Sequence, residues 1–136
     1  MEFASIYGKL GRVAVVTPVG GEGIIQDLYK YLHPDIQISE VQMPLRSVTH
    51  EGLKAMNGGV FDQLRLYPEI CPIDFLLYNC TSGSLIGGEG YDVTLCRQLK
   101  EASQAKEAYT ATTSILRALK ALESKHLSLI TPYIDA

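Results

Sequence analysis

At 136 residues, with 46% hydrophobic and 20% charged residues, the chain has the dimensions of one compact domain, 1–136, with a real core. Its net charge of −3, with Lys and Arg scattered along the chain, argues against nucleic acid as a main partner. No run reaches the roughly 18 apolar residues of a membrane span, and Met1-Glu2-Phe3-Ala4-Ser5 lacks the regions of a signal peptide, so the expected address is cytoplasmic.

The first element is Arg12-Val13-Ala14-Val15-Val16-Thr17, a β-branched run ended by Pro18 and Gly20-Gly21, which reads as a buried strand leaving into a glycine loop. From Glu22, Ile24, Ile25, Leu28, Tyr31 and Leu32 recur at helical spacing until His33-Pro34 stops them. Residues 36–41 alternate like a strand near a sheet edge, and Pro44 ends them. Thr49 is placed to cap a helix from about His50 to Tyr67, with Leu53, Met56, Val60, Leu64 and Tyr67 as its apolar stripe. Gly58-Gly59 within it marks either a kink or close packing.

Asp74 to Asn79 carries apolar residues in succession, the pattern of a central parallel strand covered on both faces. A helix from about Glu89 to Ala102 follows, with Leu95, Cys96 and Leu99 on one face, so Cys96 reads as core. Ala108 to Ala111 is a short strand. Thr112 or Thr113 then caps a helix whose Ile115, Leu116, Leu119 and Leu122 face inward, and residues 127–131 form the last strand. This order predicts a doubly wound parallel α/β sheet, flavodoxin-like and three-layered, with about five strands and ligands beyond their carboxyl ends. Three strand ends then converge: Thr17 to Gly21, Asn79 to Ser84, and Thr131 to Tyr133.

Chemistry concentrates in Asn79-Cys80-Thr81-Ser82-Gly83-Ser84. A thiol at a strand-to-helix corner, beside hydroxyls and free backbone N–H groups, sits where thiolate and oxyanions are favoured. A lone cysteine after a buried strand is also a common inert small hydrophobe. Thr81 and Ser82 serve equally as turn formers and caps, and Tyr133 as an anion donor or a packed aromatic. The segment Pro18 to Gly23 lacks both the P-loop lysine and the GxGxxG spacing, which leaves nucleotide binding weakly supported. Three cysteines, Cys71, Cys80 and Cys96, without a CxxC pair, and three dispersed histidines signal neither disulfides nor a zinc site. Cys71 reads as incidental, and His50 and His126 as surface residues.

Arg12 to Pro18, Tyr78 to Ser84 and Leu129 to Tyr133 together resemble the maleate isomerase and arylmalonate decarboxylase branch of the aspartate/glutamate racemase superfamily. The resemblance implies an enzyme without cofactor or metal, built from two similar α/β halves that each supply a cysteine or its replacement. This chain matches the amino-terminal half. Cys80 matches the first-half cysteine, Thr81 and Ser82 the residues that bind a carboxylate or its enediolate, and Tyr133 a tyrosine that holds the same group. Pro18, Val19 and Gly20 form the first-strand loop, where an asparagine is usual in the isomerases and an apolar loop in the decarboxylases. The cysteine at position 80, usually glycine in the decarboxylases, favours isomerase or racemase chemistry. The expected function is thus a cofactor-independent isomerase or racemase of a small carboxylic or dicarboxylic acid, incomplete in this length of chain. An arylmalonate decarboxylase-like lyase and a non-catalytic anion-binding or assembly module are the alternatives. Homo-oligomerisation, or association through the surface that a second half would cover, is expected.

Overall fold

The alternating side chains of Gly11–Pro18 build β1, which lies inside the sheet and buries Ala14, Val15, Val16 and Thr17 completely. In the computed structural model, which describes residues 7–131, the elements follow as α1 (Gly23–Tyr31), β2 (Ile36–Met43), α2 (His50–Leu64), α3 (Tyr67–Ile70) and β3 (Phe75–Tyr78). After them come α4 (Thr81–Leu85), α5 (Tyr91–Ser103), β4 (Glu107–Thr110) and α6 (Ala111–Ala121). All strand pairs are parallel, in the order β2-β1-β3-β4. The chain moves one way from β1 to β2 and the other way from β2 to β3 and β4. Right-handed crossovers therefore put α1 on one face, and α2 and α5 on the other.

The face under α2 and α5 is the core. Ala14 and Val16 of β1, Leu76 and Tyr78 of β3, and Ala108 of β4 meet Met56, Val60 and Leu64 of α2 and Leu95 and Leu99 of α5. The stripe expected for α2 is buried from Leu53 to Leu64, but the helix stops there and Tyr67 opens the separate α3. Pro68 explains the break, because its ring would strike the carbonyl four residues earlier, that of Leu64. Thr49 caps α2 through Gly52 N–H at 3.1 Å. The helix runs on through Gly58-Gly59, with open space beyond both glycines.

The opposite face is thinly covered. Val15 is fully buried, yet Phe75, Leu77 and Tyr109 are only half-buried and α1 has no buried residue, so β3 is covered on one face and partly on the other. Three expectations at the carboxyl end need correction. Thr110, not Thr112 or Thr113, caps α6, in a reciprocal box with Thr113. Ile115, Leu116 and Leu122 of α6 are exposed, not inward. Residues 127–131 form no strand: Glu123 turns the chain with φ 52°, and Ile130 is 96% exposed. A parallel edge strand needs both a ladder and apolar cover, and the apolar residues of α6 give it none. Among the described residues, no helix is long and apolar enough to cross a membrane.

At the amino ends of the strands, Asp74 accepts from Arg12 N–H at 2.8 Å and pairs with Lys106 at 2.6 Å, joining β1 to the chain that enters β3 and β4. Lys106 first, then the Arg12 N–H, holds its carboxyl below the ordinary value. The stabilisation is therefore complete above about pH 4 and is lost as pH falls through the depressed value. Asp74→Asn should flatten the acid limb of the stability curve and leave its slope unchanged above about pH 6, measured by urea unfolding across pH. In the same assay Leu99→Ala should cost about 2–5 kcal/mol. Ile130→Ala should stay within about 0.5 kcal/mol of the parent.

Candidate active site

The winding direction reverses between β1 and β3, so the crevice beyond their carboxyl ends is where an open α/β sheet takes a ligand. Asn79 N–H continues the ladder to Val16 O at 2.8 Å, which sets the residues after Tyr78 beside the loop that leaves β1. Pro18, Val19 and Gly20 form that loop, with Gly20 at φ +90°, a conformation that side chains disfavour. Its donors are already engaged. Val19 N–H bonds Met43 O at 3.0 Å, Gly21 N–H bonds Pro18 O at 2.9 Å, and Gly20 N–H bonds the Glu22 carboxylate at 2.9 Å. Gln42 donates to the same Glu22 oxygen at 3.1 Å, and the Gly20 N–H holds the Glu22 carboxyl below its usual range. The loop thus shapes the crevice while its own carboxylate occupies the Gly20 amide.

Cys80 stands where β3 gives way to α4. It is the N-cap of that helix, in an extended conformation, and its Sγ accepts from Gly83 N–H at 3.4 Å. Burial pushes the thiol up and the Gly83 N–H pulls it partly back, with burial the larger effect. The expectation of a thiolate-favouring corner is therefore reversed within this chain: a half-buried sulfur with one long N–H contact loses more in hydration than it regains. Thr81 and Ser82 follow, both half-buried. Ser84 is fully buried, bonding Thr81 O at 2.9 Å and the Thr112 hydroxyl at 2.7 Å, which brings the end of β4 to the same rim. Pro132 and Tyr133 lie outside the described residues.

Cys96 is half-buried rather than core, 3.6 Å from the Thr113 hydroxyl, in a 330 Å³ depression between α5 and α6 away from Cys80. Cys71 lines a separate apolar hollow with Tyr67 at the β2 edge, and His50 and His126 are exposed. Among the described residues, no group of three or more His, Cys, Asp or Glu is placed to hold a metal ion.

Behind Cys80 lies a polar cluster absent from the sequence reading. Asn57 of α2, 4% exposed, accepts from the Tyr78 hydroxyl and donates to Gly83 O at 2.9 Å and Tyr91 Oη at 3.1 Å. Burial drives the Tyr78 phenol far up, so it stays protonated and donates. Each of these buried groups would cost about 1–3 kcal/mol if left unpaired. One signal was present in the sequence: Asn57 interrupts the apolar stripe between Leu53, Met56 and Val60.

The fold is shared with maleate isomerases and arylmalonate decarboxylases. The maleate isomerase of Pseudomonas putida S16, in a cysteine-to-alanine variant with maleate, matches 92% of this chain and 54% of its own, with TM-score 0.78 and 23% identity. A maleate cis-trans isomerase of Nocardia farcinica, carrying a covalently bound succinylcysteine intermediate, matches 83% of this chain and 49% of its own, with TM-score 0.71 and 21% identity. A glycine-to-cysteine mutant of arylmalonate decarboxylase, associated with sulfate, matches 91% and 52%, with TM-score 0.68 and 27% identity. The chain spans about half the length of each. No protein-family model and no curated protein matches the sequence.

With Cys71 and Cys96 replaced by Ser, the pH–rate profile of iodoacetamide alkylation reports on Cys80 alone. Its midpoint should lie above the ordinary thiol value of about 8.5. A midpoint below that value would show that the donors outweigh burial.

Proposed function

We propose that this chain carries one side of a cofactor-independent active site for a small carboxylic or dicarboxylic acid, with cis–trans isomerisation of a maleate-like enedioate as the best-fitting reaction. One observation supports this reading above others: a half-buried cysteine at the β1/β3 switch point of a fold shared with maleate isomerases. In this reading the Cys80 thiolate adds to one alkene carbon. A C–S bond forms, and the π pair moves onto the neighbouring carbon and its carboxylate as an enediolate. A proton taken up at that carbon gives a succinyl-cysteine. Rotation about the new single bond, loss of the proton and expulsion of the thiolate leave the trans alkene, with no net oxidation.

The Thr81 and Ser82 hydroxyls hold the carboxylate as charge builds on its oxygens, with Tyr133 a further donor. The Pro18-Val19-Gly20 loop flanks the substrate. Because burial disfavours the Cys80 thiolate, the chain by itself should be a slow catalyst, and the reading assigns the remaining acid–base group to a second α/β unit at this edge. The same burial favours one competing reading, a non-catalytic anion-binding module.

Maleate and an arylmalonate, incubated with this chain and followed by proton NMR and intact mass, separate the readings. Slow fumarate formation with a maleate-derived adduct on Cys80, both absent in Cys80→Ala, is the expected result. Equal turnover by the two proteins would remove Cys80 from the chemistry. Binding without adduct or turnover would favour the module, and carbon dioxide release from arylmalonate the lyase.

A further inference from the structure

We propose that Asn57 is a positioning residue for the Cys80 thiol, acting through the Gly83 main chain. This inference rests on the reading of Cys80 as the reactive group. Asn57 lies on α2, 23 residues before Cys80 in the sequence, and its side chain reaches the α4 turn from behind. Its Nδ2 holds Gly83 O at 2.9 Å, while on the same residue Gly83 N–H points to Cys80 Sγ at 3.4 Å. The next peptide is fixed as well, because Ser84 N–H donates to Cys80 O at 3.0 Å. Gly83 is thus held at its carbonyl, at the following amide and by packing, and the only direction left for its own N–H is toward the sulfur.

The packing leaves no slack. A Cβ on Gly83 would overlap the Tyr78 hydroxyl, approach Met56 Cε at 2.9 Å and reach Asn57 Oδ1 at 3.1 Å. Glycine is required here by close approach, not by an unusual φ. Asn57 is itself fixed from two other elements, by Tyr78 at the end of β3 and Tyr91 at the start of α5. An amide is suited to the place because it accepts from Tyr78 and donates to the carbonyl at once, whereas a carboxylate could not donate and an aliphatic side chain could do neither. Four elements are therefore joined at one side chain, and their common output is the orientation of a single N–H toward sulfur. A thiolate gains more from that N–H than a thiol does, so its loss should appear in the sulfur's acidity before it appears in the fold.

The test uses the full chain with Cys71 and Cys96 replaced by Ser, and reads the alkylation profile of Cys80 with iodoacetamide. Asn57→Ala and Tyr78→Phe should raise the midpoint by about one unit, seen as roughly tenfold slower alkylation at a fixed pH below it. Leu99→Ala, a buried truncation on α5, should destabilise the protein and leave the midpoint where it was. An unchanged midpoint in folded Asn57→Ala would overturn the inference, as would an equal shift in Leu99→Ala. If Asn57→Ala does not fold, Tyr78→Phe and Tyr91→Phe decide: unchanged midpoints in both overturn it. The readout is the thiol and not turnover, so this result is independent of the Cys80→Ala comparison that tests the isomerase reading.

Discussion

The parallel pairing of β1 with β3 is the constraint on which the rest depends. Val13 to Val16 lie beside Phe75 to Tyr78, residue for residue, and Asn79 N–H adds one more rung to Val16 O. That register makes the two strands end together. It brings Cys80 and the Pro18–Gly20 loop to one edge, and because the winding reverses between these strands, no crossover helix covers the edge. Ala14 and Val16 pack beside Leu76 and Tyr78 in the same core. A slip of one residue would turn each of them to the other face and carry Cys80 away from the crevice.

At that edge, burial and polarity act against each other. Placing sulfur behind the rim removes water from it and raises the thiol, and the Gly83 amide returns only part of the loss. The protein commits a buried asparagine and two tyrosines to the peptides around that amide. In a core otherwise made of Val, Leu, Met and Ala, such a cluster is tolerable only because every member has a partner. On the β1 side, Glu22 already satisfies the Gly20 amide, so an incoming carboxylate would compete with a resident one.

The two faces of the sheet are unequal for a related reason. α2 and α5 lay complete apolar stripes on one face, whereas α1 and α6 bury no residue fully and leave Phe75, Leu77 and Tyr109 half-covered. The exposed Ile115, Leu116 and Leu122 belong to the same imbalance. Helical periodicity reports that an apolar stripe exists, and only the packing shows whether another surface meets it.

The sequence by itself determined the alternation of strands and helices, the parallel doubly wound sheet, the edge position of β2 and the place of Cys80 at a strand end. These follow from short-range rules: apolar period, proline and glycine stops, and the long crossovers that parallel strands require. The Thr49 cap was legible for the same reason, since its partner is three residues away. The tertiary structure decided what depends on distant neighbours. The run at 127–131 had the composition of a strand but found no ladder, and Thr110 took the cap assigned to its neighbours because β4 ended one residue later than its apolar pattern implied. Asn57, far from Cys80 in the chain, became its support because α2 crosses behind α4. The acidity of Cys80 was decided there as well. The local motif carried the donors that lower it, while the burial that raises it exists only once the sheet and its helices have closed around the sulfur.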